Sequence, residues 1–304
     1  MEKNKMSVTD RQIVETMRKD YRNMIPLAGI KDEVAHIHEI NIPTEDPNRI
    51  IGSKLFIGLG NEDEKRPVIL FIHGGGFVSG DLDTHEVLSR GLANHNQALV
   101  LSIDYRLAPE HQFPAGFDDC YTALLWIKEH IGGYGGDVDK ILVAGDSAGA
   151  TLSASLVQYL RDKKESKATV WAQLLFYPSL SPYMNTESFK VLGDKYFPTL
   201  DVAKFVRKMY IENFEKEATN PYAFPLVGAV DNLPPALIVV GSLDPLKDEC
   251  RDYADKLKEA QVPVFFKEYT GVEHGFIQFF KQDVNSQQGA EAMKDISDFI
   301  QKLT

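Results

Sequence analysis

Between residues 9 and 25, apolar side chains recur every three or four positions, at Ile13, Met17, Tyr21 and Met24. That spacing predicts an amphipathic helix, with Thr9 or Asp10 as N-cap and Pro26 just past its end. The stretches "VAHIHEINIP" and "RIIGSKLFIG" alternate apolar and polar residues, which predicts two antiparallel strands. From residue 66 the pattern changes to short continuous apolar runs: "PVILFI", "ALVLSI", "KILVAG", "VWAQLLFY", "PALIVVG" and "PVFFKEY". Such runs suit strands buried on both faces of a parallel sheet. Helical patterns separate them, as in "FDDCYTALLWIKEH" and "AGATLSASLVQYLRD", and "GAEAMKDISDFIQKL" predicts a final covering helix. Strand alternating with helix implies an α/β fold, with right-handed crossovers and helices on both sheet faces.

One interval breaks this rhythm. Between "LLFYPSL" and "PALIVVG" lie about fifty residues, far more than a strand–helix connection needs. The interval contains a helical pattern, "TLDVAKFVRKMYIENF", with Phe205, Met209 and Tyr210 on or near one face. Residues 182–232 therefore read as an insertion above the carboxyl edge of the sheet. Together with the N-terminal helix it would form a cap. The expected organisation is residues 1–30 as the first part of a cap, 31–181 as the first part of the core, 182–232 as the cap insertion and 233–304 as the rest of the core.

Composition narrows the class. The chain has 304 residues, 43% hydrophobic and 25% charged, as in one large globular domain. A net charge of −11 argues against nucleic acid or an anionic membrane as partner. Only Cys120 and Cys250 are present, which favours free thiols in a reducing compartment over a disulfide. The first twenty residues lack a signal-peptide core, and no apolar run reaches the roughly 18 residues of a membrane helix. The expectation is a cytoplasmic protein without a membrane partner.

The most informative line is "KILVAGDSAGATLSASL". It sets Gly145-Asp146-Ser147-Ala148-Gly149 between a buried strand and a helix, the context that gives G-x-S-x-G its meaning. The turn is so tight that its flanking positions must lack bulk, and it would present Ser147 Oγ at the top of the sheet. The plainer alternative makes Ser147 only a helix N-cap. A serine nucleophile needs a base to take its proton. His36 and His38 alternate on one strand face with no cluster to complete a metal site. His85, His95 and His130 lie in or beside helices and read as surface. His111 sits in a proline-flanked loop, and His73 reads as holding the glycine loop by hydrogen bonds. His274 is different, because it follows the strand "PVFFKEYTG" where a loop would leave the carboxyl edge. Asp244 follows the strand before it and is the expected acid, with Asp248 as runner-up and capping of the next helix as the structural alternative. The chain order Ser, acid, His is that of α/β-hydrolases. The bare main chain of "HGGGF" at Gly74, Gly75 and Gly76 fits N–H donors for an oxyanion, joined by the amide of Ala148 after the nucleophile. No phosphate-binding glycine motif is present.

Taken together, "HGGGFVSGDLDTHE", "DYRLAPEHQFPA", "GDSAGA", "NLPPALIVVGSLDPLKDE" and "GVEHGF" resemble the hormone-sensitive-lipase-like (bacterial family IV) esterases of the α/β-hydrolase superfamily. These motifs stand in the family's order over roughly residues 65–280. The resemblance implies hydrolysis of short-chain acyl esters with no metal and no other cofactor. It also implies Ser147, Asp244 and His274 as the triad, Gly75, Gly76 and Ala148 as the oxyanion hole, and a helical cap. Two positions depart from the commonest pattern. Ala150 replaces a glycine after the elbow, and Phe224 in "PYAFPL" stands where the family often has serine. Tyr105 and Arg106 are expected to tie down a buried loop. Phe77, Tyr183, Phe205 and Tyr210 are candidate substrate-binding residues, with Met17, Tyr21 and Phe197 as further wall candidates. An amidase using the same triad and a non-catalytic receptor on the same fold are the alternative functions. An exposed edge strand would offer a homodimer surface.

Overall fold

The computed structural model describes residues 7–61, 63–164 and 169–303. Residues 1–6 of the expected cap, and residues 62, 165–168 and 304 of the expected core, lie outside the described residues. The strands are β1 (His36–Pro43), β2 (Ile50–Ile57), β3 (Arg66–Ile72), β4 (Leu99–Ile103), β5 (Gly136–Asp146), β6 (Ala172–Phe176), β7 (Ala236–Gly241) and β8 (Val264–Tyr269). They form one sheet in the order β1-β2-β4-β3-β5-β6-β7-β8. The first two strands pair antiparallel, β2 joins β4 antiparallel, and every later pairing is parallel.

The helices are α1 (Val8–Asn23), α2 (Glu86–His95), α3 (Ala115–His130), α4 (Ala148–Lys163), α5 (Glu187–Leu192), α6 (Leu200–Tyr210), α7 (Phe214–Glu217), α8 (Lys247–Glu259) and α9 (Ser286–Lys302). The strand order explains their placement. From β3 the chain steps outward to β4, then returns past β3 to β5 and continues the other way. Right-handed crossovers therefore put α2 on one face and α3, α4 and α8 on the other. The last helix, α9, packs with α2.

The apolar runs behave as their composition requires. All residues of β4, β6 and β7 are buried, so these strands are covered on both faces. The exception is β8, where only Tyr269 is fully buried. It is the last strand of the sheet, and edge position rather than composition leaves its other residues half-exposed. The first helix also starts earlier than its apolar spacing suggests. Ser7, not Thr9 or Asp10, is the N-cap: its Oγ accepts the Asp10 N–H at 2.9 Å. Apolar periodicity marks the buried stripe and says nothing about the polar residue one turn before it. In α8, Pro245 precedes the helix, which begins at Lys247.

Two polar devices hold the segments around the sheet. Arg106 grips the buried Asp119 through two bonds of 2.9 Å, and Tyr105 donates to the His73 carbonyl at 2.9 Å. This is the tying role expected for "DYRLAPE". On α1, Arg18 donates to the carbonyls of Val78 (2.8 Å) and Ala108 (3.1 Å) and pairs with Glu110. Arg22 pairs with Asp81, and Lys208 of α6 reaches Asp10 of α1 at 2.9 Å. The first helix is thus tied both to the loops after β3 and β4 and to α6.

Candidate active site

The turn from β5 into α4 places Ser147 with φ 51° and ψ −117°. A left-handed conformation is costly for a residue with a Cβ and persists only where surrounding packing imposes it. Here the imposing contact is backbone on backbone. A Cβ on Gly149 would run into the Ile72 carbonyl, and one on Gly145 would meet Gly149 and the Ile72 oxygen. Only glycine lets β5, α4 and the end of β3 approach this closely. Ser147 stands at the N-cap position of α4, yet its side chain makes no capping bond. Its oxygen is turned instead to His274 Nε2 at 2.9 Å.

His274 leaves the end of β8, and its Nδ1 lies 2.7 Å from Asp244 Oδ2. A carboxylate only accepts, so Nδ1–H is the donor and Nε2 is free to accept from the serine hydroxyl. Asp244 is fully buried and follows β7. Its second oxygen accepts the Leu246 N–H at 2.8 Å, so the acid both orients the imidazole and shapes the turn into α8. The runner-up acid, Asp248, is engaged elsewhere, accepting the Ser188 N–H at 2.7 Å. Its neighbour Glu249 accepts the amides of Leu180 (2.7 Å) and Ser181 (2.8 Å), just after β6. Burial pushes the Glu249 carboxyl up to about 8.

The glycine loop follows β3 directly. Gly75 and Gly76 have φ of 116° and 63°, conformations that suit glycine. Among the described residues, the amides of Gly75, Gly76 and Ala148 have no acceptor within the protein. All three residues line the same cavity as Ser147 and His274. The cavity holds about 910 Å³, and its exposed lining is mainly apolar. Phe77, Phe205 and Tyr210 are on its wall, as are Met17, Tyr21, Phe197 and Phe224. Tyr183 is not. It is 52% exposed, and its ring packs edge-on against Phe214 at 6.1 Å, so this candidate substrate-binding residue stands outside the cavity lining. The insertion turns sharply there, the Tyr183 amide bonding to Ser181 Oγ, and aromatic composition alone does not reveal which way a ring faces.

His85 also departs from expectation. It is fully buried rather than on the surface, with Nε2 at 3.2 Å from the Asp146 carboxylate. Asp146, the second residue of the elbow, accepts the Gly74 N–H at 2.9 Å and so joins the Ser147 turn to the glycine loop. Tyr21 of α1 completes this group, donating to Gln278 at 2.9 Å beside His85. Helical position suggested an exposed His85. Its inclusion in the motif "HGGGFVSGDLDTHE" was the available signal that it belongs to the site's support.

His73 is buried between Tyr105 and His85, at ring distances of 4.4 and 5.5 Å, and its Nδ1 donates to the Gly74 carbonyl at 2.7 Å. Burial, with nearby His85 adding to it, lowers its pKa from 6.5 to about 4. The Gly74 carbonyl and the acids Asp146 and Asp81 pull the other way without overcoming that cost. The unfolded chain therefore binds the proton more readily. Stability from the neutral ring is present above pH 6.5 and is lost as pH falls toward 4, by about 3 kcal/mol in total. Glu249 has the opposite sign, its folded form gaining as pH drops from about 8. Denaturant titrations at neutral and acid pH should show His73→Asn losing about 2 kcal/mol less than the parent on acidification. Equal losses would mean that His73 does not carry this dependence.

Among the described residues there is no group of three or more His, Cys, Asp or Glu able to hold a metal ion, and no helix is long and apolar enough to cross a membrane. Cys120 and Cys250 are buried free thiols. Residues 69–278 match the family model Abhydrolase_3, described as alpha/beta hydrolase fold. The chain is 35% identical over 268 residues to esterase LipI of Mycobacterium tuberculosis, covering 87% of this chain and 81% of that protein. It is 32% identical over 268 residues to an arylesterase of Saccharolobus solfataricus, covering 86% and 84%. Among solved structures, an esterase of Pyrobaculum calidifontis superposes with a TM-score of 0.86 at 34% identity, over 97% of this chain and 93% of that one.

Proposed function

Since the chain belongs to the alpha/beta hydrolase fold family, on its hormone-sensitive-lipase-like esterase branch, we propose that it is a serine carboxylesterase acting through an acyl-enzyme. It hydrolyses carboxylic ester bonds of small substrates. The observation that carries the mechanism is the unbroken hydrogen-bonded chain from Ser147 through His274 to Asp244, opening on an apolar cavity.

In the first half-reaction, His274 Nε2 takes the Ser147 proton as Oγ attacks the ester carbon. The tetrahedral oxyanion is received by the amides of Gly75, Gly76 and Ala148, for which no acceptor among the described residues competes. Asp244 holds the imidazole in the required tautomer and stabilises the imidazolium. Protonated His274 then delivers its proton to the leaving alcohol. Water, deprotonated by His274, attacks the acyl-enzyme and regenerates the serine.

The N-terminal helix and residues 182–232 act as the cap over the substrate, since α1 and α6 both contribute to the cavity wall and are joined by Lys208 and Asp10. Phe224 occupies part of that wall, with Phe214 edge-on against it at 6.2 Å, which favours short acyl chains. The free edge of β8 is the surface on which we place a homodimer contact. The two free thiols favour a cytoplasmic location.

Nitrophenyl esters from acetyl to decanoyl test the reading. The expected profile is high kcat/KM for short chains and a steep fall by decanoyl, with matched anilides turned over far more slowly. Rising activity through decanoyl would exclude the short-chain reading, and faster anilide turnover would make the protein an amidase.

A further inference from the structure

The glycine loop has two sides, and the core holds only one of them. On the core side, the Gly74 amide is bound by Asp146, and the Gly75 carbonyl accepts the amides of Val78 (3.2 Å) and Ser79 (3.0 Å) and the Ser79 hydroxyl (2.8 Å). The other side faces the insertion. A Cβ built on Gly76 would lie 3.0 Å from a Val206 methyl, so Val206 of α6 rests on the bare face of that glycine. One helical turn later, Tyr210 stacks on Phe77 with ring centres 3.8 Å apart and planes 5° from parallel.

Three consecutive residues here, Gly75, Gly76 and Phe77, have positive φ, at 116°, 63° and 65°. Two are glycines and adopt it freely. Phe77 carries a full side chain, and its conformation needs an external constraint. The Tyr210 ring supplies one, along with the Phe77 carbonyl's bond to the Ala108 amide at 2.9 Å. The helix that presents this ring is itself anchored. The Tyr210 carbonyl accepts the Phe113 amide at 2.9 Å, and the Met209 carbonyl accepts Gln112 Nε2 at 2.9 Å.

We propose that α6 is a clamp on the oxyanion loop: Tyr210 on Phe77 and Val206 on Gly76 position the loop amides opposite Ser147. This rests on the esterase reading above and adds a role for the cap beyond enclosing substrate. Tyr210 is a positioning residue. It acts through the direction of the Gly75 and Gly76 amides, whose value depends on meeting the oxyanion at hydrogen-bonding distance. A wall residue would change how substrate binds. A clamp changes how well the transition state is held after substrate has bound.

The test compares Tyr210→Ala and Tyr210→Phe in turnover of nitrophenyl acetate and in inhibition by a trifluoromethyl ketone, whose adduct with serine places an oxyanion in the hole. Tyr210→Ala should lower kcat about 30-fold, a fraction of the loss expected from removing one whole donor, with KM changed less than about threefold. Its ketone affinity should fall by a similar factor. Tyr210→Phe keeps the stack and should match the parent in both. If Tyr210→Ala does not fold, Val206→Ala gives the same reading at about fivefold. Unchanged kcat with raised KM would overturn the clamp, as would a Tyr210→Phe variant as impaired as Tyr210→Ala. Failure of the esterase reading itself would appear in the parent protein, as neither ester turnover nor ketone inhibition.

Discussion

Ser147→Ala should reduce kcat for nitrophenyl acetate by about five orders of magnitude while leaving the fold intact. The size follows from the absence of another nucleophile on the triad's hydrogen-bond chain. Loss of the hydroxyl leaves only the oxyanion donors and the cavity to act on substrate. The fold survives because Ser147 Oγ does no capping work for α4, its hydrogen bond being to His274. The backbone amide, which bonds the Phe176 carbonyl at 2.8 Å, is unaffected. The measurement is steady-state turnover alongside thermal denaturation. An unchanged melting curve with residual activity near background is expected, and retention of a tenth of the parent's turnover would remove Ser147 from its role.

Asp244→Asn comes next, at about four orders of magnitude in kcat. The asparagine oxygen would keep the bond to the Leu246 amide, so the turn into α8 should hold. Its NH2 group would then face His274 Nδ1 and require that nitrogen to accept. The ring proton moves to Nε2, where it faces Ser147 and blocks proton removal. Because the defect lies in the tautomer rather than in placement, activity should recover in part at high pH, where hydroxide replaces the missing base. A variant with near-parent kcat at neutral pH would show that the buried carboxylate does not orient the imidazole.

Most of this site was legible before any coordinates. The continuous apolar runs located β3 to β7 because burial on both faces leaves no room for alternation, and the run of β8 was found although its edge position leaves it half-exposed. The hydrogen-bonded group of Ser147, Asp244 and His274 was legible because each member follows a strand end, and strand ends are where an open parallel sheet gathers its chemistry. What failed was side-chain direction. Tyr183 and Phe205 are both aromatic residues of the insertion, yet only Phe205 reaches the cavity. His85 looked like a surface residue beside a helix, but as the N-cap position before α2 it faces inward to Asp146. The N-cap at Ser7 was missed because capping depends on a single polar contact outside the apolar repeat. Elements come from patterns that many residues share. Orientation depends on which neighbour a single side chain meets, and no periodicity records that.

On the proposed mechanism, Ser147 becomes covalently acylated. Rapid-quench mass spectrometry of the protein mixed with nitrophenyl acetate measures this directly. A burst of nitrophenol matched by one acetyl group on the peptide containing Ser147 is expected. Linear nitrophenol release with no acetylated serine, or an acetyl group on another residue, would contradict it.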